Sequence, residues 1–374
     1  FGQINAGLCR LKIDGKSGQT VDMTFGEVLQ NGKLDLSNIS FGDRSFEGYV
    51  QHDQYICRDG VQEYLPSFTY HGFRYVEVKG ITKEQATKDL LEYVVIHSDI
   101  PPRGRFSCSD ETVNRIQECA LRSDTSNFYY FPTDCPQREK NGWTADASLS
   151  AEQLLYNFDC AASLREWLNN IRKAQTKEGA LPGIVPTSGW GYEWGNGPAW
   201  DSVLIELPYQ LYRFTGDKEV IEENAEAIER YFDYLETKKN GDGLFAYSTP
   251  LEVTDSLVCI ELAKKAESMF LEIGKTEKAE KAAAFGKGLK EAFRKKYVSA
   301  AGEVSCGTQT AQALAIVFGV FSETELPAAY VRLAALLKEK GGHLQTGVLG
   351  AKVLFDALTK GGYAEEALYS IVRK

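Results

Sequence analysis

At about residue 98 the hydrophobic pattern changes period, and no other feature constrains the fold of this 374-residue chain so strongly. Residues 1–98 alternate apolar and polar with period two. The runs "LCRLKIDG", "TVDMTFGEVL", "EGYVQHDQYIC", "EYLPSFTYHGF" and "RYVEVKG" are separated by turn signals such as Asn31-Gly32 and Asp59-Gly60. Short alternating runs at that spacing predict an antiparallel β-sandwich, one that opens on a strand as if its first strands were absent. Residues 99–108 contain Pro101-Pro102 and Gly104 and read as a linker. From Ser109 the apolar residues recur at helical spacing, with Ser109 expected as the N-cap and Asp110 and Glu111 in the first turn.

The helical pattern predicts eleven helices, over 109–127, 146–157, 160–174, 200–215, 218–238, 252–272, 276–297, 308–320, 324–339, 345–359 and 363–373. Short turns ("TGDK", "GKTE", "SETE", "TKGG") alternate with longer Gly- and Trp-rich loops. Such alternation predicts a closed toroid of antiparallel helix pairs, an (α/α)6 barrel over 109–374, with the long loops gathered at one end. An α-solenoid is the competing arrangement, but it requires a repeat of fixed period and none is present. Six pairs need twelve helices, so a count of eleven predicts a toroid without its last helix. The expected fold class is therefore multidomain β + α, a β-sandwich followed by that toroid.

Charge and composition exclude several function classes. The net charge of −10 is spread along the chain without a basic run, which argues against a nucleic-acid partner. The longest apolar stretch, 313–321, is about half the length that crosses a bilayer, so no membrane partner is expected. Eight cysteines are scattered with no CxxC pair, and there are only four histidines. Zinc-type spacing is lacking, so free and mostly buried thiols are expected and neither metal nor cofactor is implied. Compartment and oligomeric state are not written in single residues. The abrupt start "FGQINAG" leaves open whether a signal peptide or further domains precede it.

The residues with most chemical potential lie in "YFPTDCPQREKNGWTADA", Tyr130–Ala147, between the first two expected helices. Asp134, Arg138, Glu139, Lys140, Trp143 and Asp146 crowd this loop, and loops on rigid scaffolds often carry catalysis. Acids spaced this way can converge on one ligand, and two carboxylates flanking a bond are the minimum for glycoside hydrolysis. The plainer alternative has Asp146 capping the next helix and Arg138 neutralising Asp134. All five tryptophans fall between 143 and 200. Trp167 belongs to a helix and is expected in the core. Trp143, Trp190, Trp194 and Trp200 lie in or beside loops, notably "TSGWGYEWGNGPAW", where flat rings suit the C–H face of a sugar. Glu193 and Asp201 share that loop, Asp201 being equally suited to cap the next helix. His343, in "GGHLQTG", is expected to start a late helix, and His71 is expected to be structural.

The loop "DCPQREKNGWTADA" resembles the signature loop of bacterial α-L-rhamnosidases, inverting glycoside hydrolases with an (α/α)6 barrel. "GEVLQNGKL" and "FTYHGFRYVEVKG" are similar to the sandwich that precedes the barrel, and "GPAWDS", "GTQTAQALA" and "GGHLQTGVLGAKVL" to later barrel segments. The resemblance implies that Glu139 is the general acid. Asp134, Arg138 and Asp146 would hold rhamnose hydroxyls, with Trp143 lining the pocket and Trp194, Trp200 and His343 as further substrate contacts. The implied substrate is a rhamnose-containing glycoside or polysaccharide. The family's general base, a Glu after the eleventh helix, is expected beyond the end of this chain. Two departures stand out. "TPLEV" follows "GDGLFAYS" where relatives carry a Gly-Asp-Trp loop, and Ala145 replaces the usual Gly, a mild change at negative φ. A carbohydrate-binding protein without catalysis, or a lyase or phosphorylase on a related toroid, are the alternatives. For a raised acid pKa, Asp134 or Asp146, and neither Arg138 nor Lys140, should lie nearest Glu139.

Overall fold

The computed structural model describes residues 1–39, 51–187, 189–194, 197–245 and 251–373. The expected strand segment at 47–50 and the 248–250 connection lie outside the described residues. Contacts gather the chain into two compact units: Phe1–Pro101 with Arg115–Gly142, and Pro102–Asn114 with Trp143–Lys374.

The first unit is built on β1 (Asn5–Gly15), β2 (Thr20–Gly26), β3 (Val28–Gln30), β4 (Lys33–Asp35), β5 (His52–Ile56), β6 (Gly60–Tyr64), β7 (His71–Phe73), β8 (Tyr75–Lys79) and β9 (Leu91–Val95). Every pairing among the described residues is antiparallel. β1 is central to one sheet, with β9 along Gly7–Leu11, β7 along Asn5–Gly7 and β6 along Leu11–Gly15. A second sheet runs β5-β2-β8, and β3-β4 form a ribbon. Alternation does the structural work: Leu11 and Ile13 are buried while Lys12 and Asp14 are exposed. Cys9, Leu11 and Ile13 from the first sheet and Val21, Met23 and Phe25 from the second share one core with Cys57, Phe73 and Leu90. Two sheets closing on one apolar layer is the packing that the period-two pattern demands. β9 is not legible in the sequence, because "LEYVV" alternates weakly and its partner β1 is 80 residues upstream.

The same unit takes in most of α1 (Glu111–Ser126) and the ribbon of β10 (Phe128–Tyr129) with β11 (Phe131–Pro132). Asp110, rather than the expected Ser109, caps α1. Its Oδ1 accepts the Thr112 and Val113 N–H groups at 2.8 and 3.1 Å.

The second unit is helical: α2 (Thr144–Asn157), α3 (Ala161–Ala174), α4 (Pro198–Asp201), α5 (Val203–Thr215), α6 (Glu219–Glu236), α7 (Leu251–Glu272), α8 (Thr276–Tyr297), α9 (Gln309–Val317), α10 (Leu326–Glu339), α11 (Val348–Lys360) and α12 (Ala364–Val372). With α1, this makes eleven helices of nine residues or more among the described residues, plus the four-residue α4. The predicted 200–215 helix is broken at Ser202, where the chain turns from α4 into α5. In ring order α2, α5, α7, α9 and α11 pack each on the next, with α11 returning to α2, while α6, α8, α10 and α12 pack outside them. That is the toroid of helical hairpins expected from the alternating turns. Trp167 is fully buried, its indole N–H donating to the Val185 carbonyl at 2.9 Å.

The ring centre holds charge. Glu206 of α5 is 4% exposed and accepts Lys265 of α7 at 2.5 Å and Lys352 of α11 at 3.4 Å. Lys352 also donates to the Ser148 carbonyl of α2 at 3.1 Å. Burial alone would raise the Glu206 pKa, but the two ammonium groups hold it below the ordinary carboxylate value. The group borders a cavity of roughly 70 Å³ lined by α2, α5, α7, α9 and α11. All eight cysteines are free, yet only four of them, Cys9, Cys57, Cys160 and Cys259, are buried, against the expectation of mostly buried thiols.

Candidate active site

In the first unit the signature loop is closed on itself by its own backbone. The Asp134 N–H donates to the Asn141 carbonyl at 3.0 Å, and the Asn141 N–H returns to Asp134 Oδ1 at 2.8 Å. The Lys140 N–H donates to the Cys135 carbonyl at 3.2 Å, with Lys140 itself at a φ of 56°. Cys135 Sγ donates to Asp134 Oδ2 at 2.7 Å and accepts the Glu139 N–H at 3.2 Å. Behind the loop stands β7. A Cβ added at Gly72 would lie 2.6 Å from Pro136 Cγ and 3.0 Å from the Gln137 nitrogen, so the loop packs where only glycine fits. His71 next to it is structural as expected: it is stacked on Phe25 and bonded to Gln51 and to Asp53 at 3.2 and 2.9 Å.

This closed loop brings three of the expected site residues together: Asp134, Arg138 and Glu139. The Glu139 side chain is one-fifth exposed. Burial raises the Asp134 pKa, the Glu139 charge raises it further, and the Cys135 and Asn141 hydrogen bonds oppose the shift. The two neighbouring cations part company. Lys140 turns onto Tyr70, its Nζ donating to the Tyr70 carbonyl at 2.6 Å and lying 4.8 Å from the ring centre. Arg138 stays, with its Nε 3.8 Å from Glu139 Oε1 and its Nη1 3.5 Å from the Asn38 carbonyl. The expectation that both cations leave Glu139 thus holds for Lys140 and not for Arg138. The Arg138 contact is long, 3.8 Å at its nearest, and so not a bidentate fork at hydrogen-bond distance.

The second unit carries Trp143, Asp146, Trp194, Trp200 and His343. Trp143 occupies the N-cap of α2 in extended conformation, bridged to Ile184, and its own side chain makes no cap hydrogen bond. Asp146 is not itself the N-cap residue. It sits exposed in the first turn, where the helix dipole favours an anion. Ala145 lies inside α2 at negative φ, so the Gly-to-Ala departure costs no backbone strain. Trp194 is 57% exposed and meets Trp190 edge-on at 5.7 Å, with Glu193 exposed beside it. The Trp200 indole N–H is enclosed without a hydrogen-bond partner among the described residues. His343 does not start a helix: α11 begins at Val348, and His343 lies exposed in the preceding loop against Arg373, whose Nη2 is 2.9 Å from its Nδ1.

Asp201 neither caps α5 nor reaches the surface. It is 2% exposed, and its Oδ2 accepts the Tyr231 hydroxyl at 3.0 Å and the Gly197 N–H at 3.3 Å. Asp255, not singled out from the sequence, is buried on α7 and accepts the Ala199 N–H. Burial pushes the Asp255 carboxyl up to about 7 and drives Asp201 well above the ordinary value, the second carboxyl adding to the shift. A sequence signal existed: Asp255 shares the stripe of Val258, Cys259 and Leu262 at helical spacing, an acid on an apolar face.

A β-sandwich core, a ring of helical hairpins and a loop presenting carboxyls place the helical unit in the class of six-hairpin glycosidase domains. The model of the bacterial α-L-rhamnosidase six-hairpin glycosidase domain matches residues 101–374, and that of the concanavalin-like domain of the same proteins matches residues 1–97. The chain belongs to the bacterial α-L-rhamnosidase family. An α-L-rhamnosidase of Alteromonas sp. (strain LOR) is 30% identical over 97% of this chain and 41% of its own length, and one of Streptomyces avermitilis is 31% identical over 98% and 36%. The crystal structure of the Streptomyces avermitilis enzyme complexed with L-rhamnose superposes with a TM-score of 0.91 at 29% identity, covering all of this chain and 36% of that one. The rhamnosidase from Dictyoglumus thermophilum gives 0.91 at 29% identity, covering all of this chain and 44% of that one. The chain thus spans roughly two-fifths of the length of these relatives. Among the described residues no helix is long and apolar enough to cross a membrane.

Proposed function

We propose that the protein carrying this chain hydrolyses terminal α-L-rhamnosyl residues from a glycoside or polysaccharide, with inversion, and that Glu139 is its general acid. The observation that supports this best is the closed 134–141 loop, which brings Asp134 and Glu139 into one turn while Lys140 turns to Tyr70. A general acid has to reach the leaving oxygen, and the loop leaves the Glu139 side chain one-fifth exposed.

In this reading the Glu139 proton passes to the leaving glycosidic oxygen as the C1–O bond breaks. Water attacks C1 from the opposite face and loses its proton to a second carboxylate, about 6.5–9.5 Å from the first. The family pattern assigns that base to a Glu following the residues of this chain. Asp134, Arg138 and Asp146 bind sugar hydroxyls, His343 adds a further polar contact, and Trp143, Trp194 and Trp200 offer apolar faces to the ring and its methyl group. Two carboxylates and water complete the reaction, so it calls for no metal or cofactor.

Glu139→Gln in the full-length protein tests the assignment. Turnover of an alkyl rhamnoside, whose leaving group needs a proton, should fall by about 10²–10⁴ while the far-UV spectrum and thermal midpoint stay unchanged. Activity equal to that of the wild type would sink the assignment. Binding of rhamnose without release from any rhamnoside by the wild type would instead favour a carbohydrate-binding protein.

A further inference from the structure

Cys135 stands in the middle of the signature loop, where the proposed mechanism gives it no part. Its thiol is half-buried and uses both of its hydrogen-bonding capacities on named partners: Sγ donates to Asp134 Oδ2 and accepts from the Glu139 N–H. We propose that Cys135 is a positioning residue for the acid, its thiol tying the Asp134 carboxyl to the Glu139 backbone so that the Glu139 side chain leaves the loop in one direction. This rests on the reading of Glu139 as general acid.

Three further observations carry the inference. The loop ends are already fastened by the paired Asp134–Asn141 bonds, so the thiol is not needed to close them. Its bond to the Glu139 N–H lies inside the closed loop, at the residue whose aim decides the chemistry. The middle of the loop is backed by Gly72 against Pro136 and Gln137, which leaves the 138–140 segment as the part that an internal tie must steady. Burial and the neighbouring Asp134 push the thiol up to about 11, so it keeps the proton that it donates. A thiolate in that place would repel Asp134 and lose the donor. Space-filling, the usual task of a buried cysteine, explains neither the polar partner on each side nor the half-buried position.

The test is made in the full-length protein with two substrates that differ in how much they need the acid, an alkyl rhamnoside and a dinitrophenyl rhamnoside. Cys135→Ala should lower kcat on the alkyl substrate on the order of tenfold, since small displacements of a reacting group are costly. The same variant should stay within about twofold of wild type on the dinitrophenyl substrate, with KM unchanged on both. Cys135→Ser, which can donate and accept at the same place, should recover most of the loss. If the alanine variant does not fold, Cys135→Val keeps the volume without the hydrogen bonds and should show the same split. Equal losses on the two substrates, a change in KM alone, or no change in kcat would overturn the proposal. Glu139→Gln run alongside separates the two readings. If it shows the leaving-group dependence and Cys135→Ala does not, the acid stands and the positioning role falls. If Glu139→Gln shows no such dependence, both fall.

Discussion

Single residues decide how the signature loop is held, and Gly72 is the clearest case. Its missing Cβ lets β7 run against Pro136, so Gly72→Ala should destabilise the first unit by about 1–3 kcal/mol, as forced overpacking does. Urea unfolding followed by far-UV circular dichroism checks this, and an unchanged midpoint would contradict it. Asp255 supports a prediction of another kind. Its folded pKa of about 7 lies above the ordinary 3.8, so the proton is held longer in the folded state than in the unfolded one. Its contribution is fully present below about pH 4 and is lost as pH rises through 7, at up to roughly 1.4 kcal/mol per pH unit. Stability of the helical unit should therefore decline between pH 4 and 7, and Asp255→Asn should flatten that decline in midpoints measured across the range. At this scale the sequence was only partly legible. The composition of the loop named Asp134, Arg138 and Glu139 together. The turn of Lys140 onto Tyr70 was invisible because it depends on a residue 70 positions away. Asp201 was misread for the same reason, its hydroxyl partner Tyr231 lying on another helix.

Helices and strands were easier to read, since periodicity is a local property. The long helices α6, α7 and α8 lie where apolar spacing put them, and α5 ends at the glycine of "TGDK" in left-handed conformation, Gly216 at a φ of 73°. The misses fall where a neighbour outweighs the pattern: the break at Ser202, the weakly alternating β9, and the cap at Asp110. Elements are also where the buried charges matter. Glu206 faces Lys265 and Lys352 from two other helices, so Glu206→Gln removes the buried carboxylate they share and leaves Lys265 with Glu261 at 3.7 Å and Lys352 to solvent. A loss of about 1–3 kcal/mol is expected, more than for a surface pair. Lys352→Met should cost less, because Lys265 remains to neutralise Glu206. Denaturation of the two variants side by side checks the order, and equal losses would show that the triad does not act as one group.

For the molecule as a whole, the two compact units each have an apolar core of their own, and all five tryptophans belong to the second. Tryptophan emission should therefore follow the unfolding of the helical ring, with its midpoint moved by Glu206→Gln. The ring has a consequence in time as well as in space. Lys352 reaches back to Ser148 across 204 positions, whereas the α7–α8 hairpin joins neighbours in sequence. Hairpins can form as each pair of helices leaves the ribosome, and Glu206 can find Lys265 once α7 has emerged. The last cation arrives almost ninety residues later. Until then the nascent chain has an open arc of helices with no bond from α11 back to α2. The tie from α11 to α2 is the step at which local pairing becomes a closed circle.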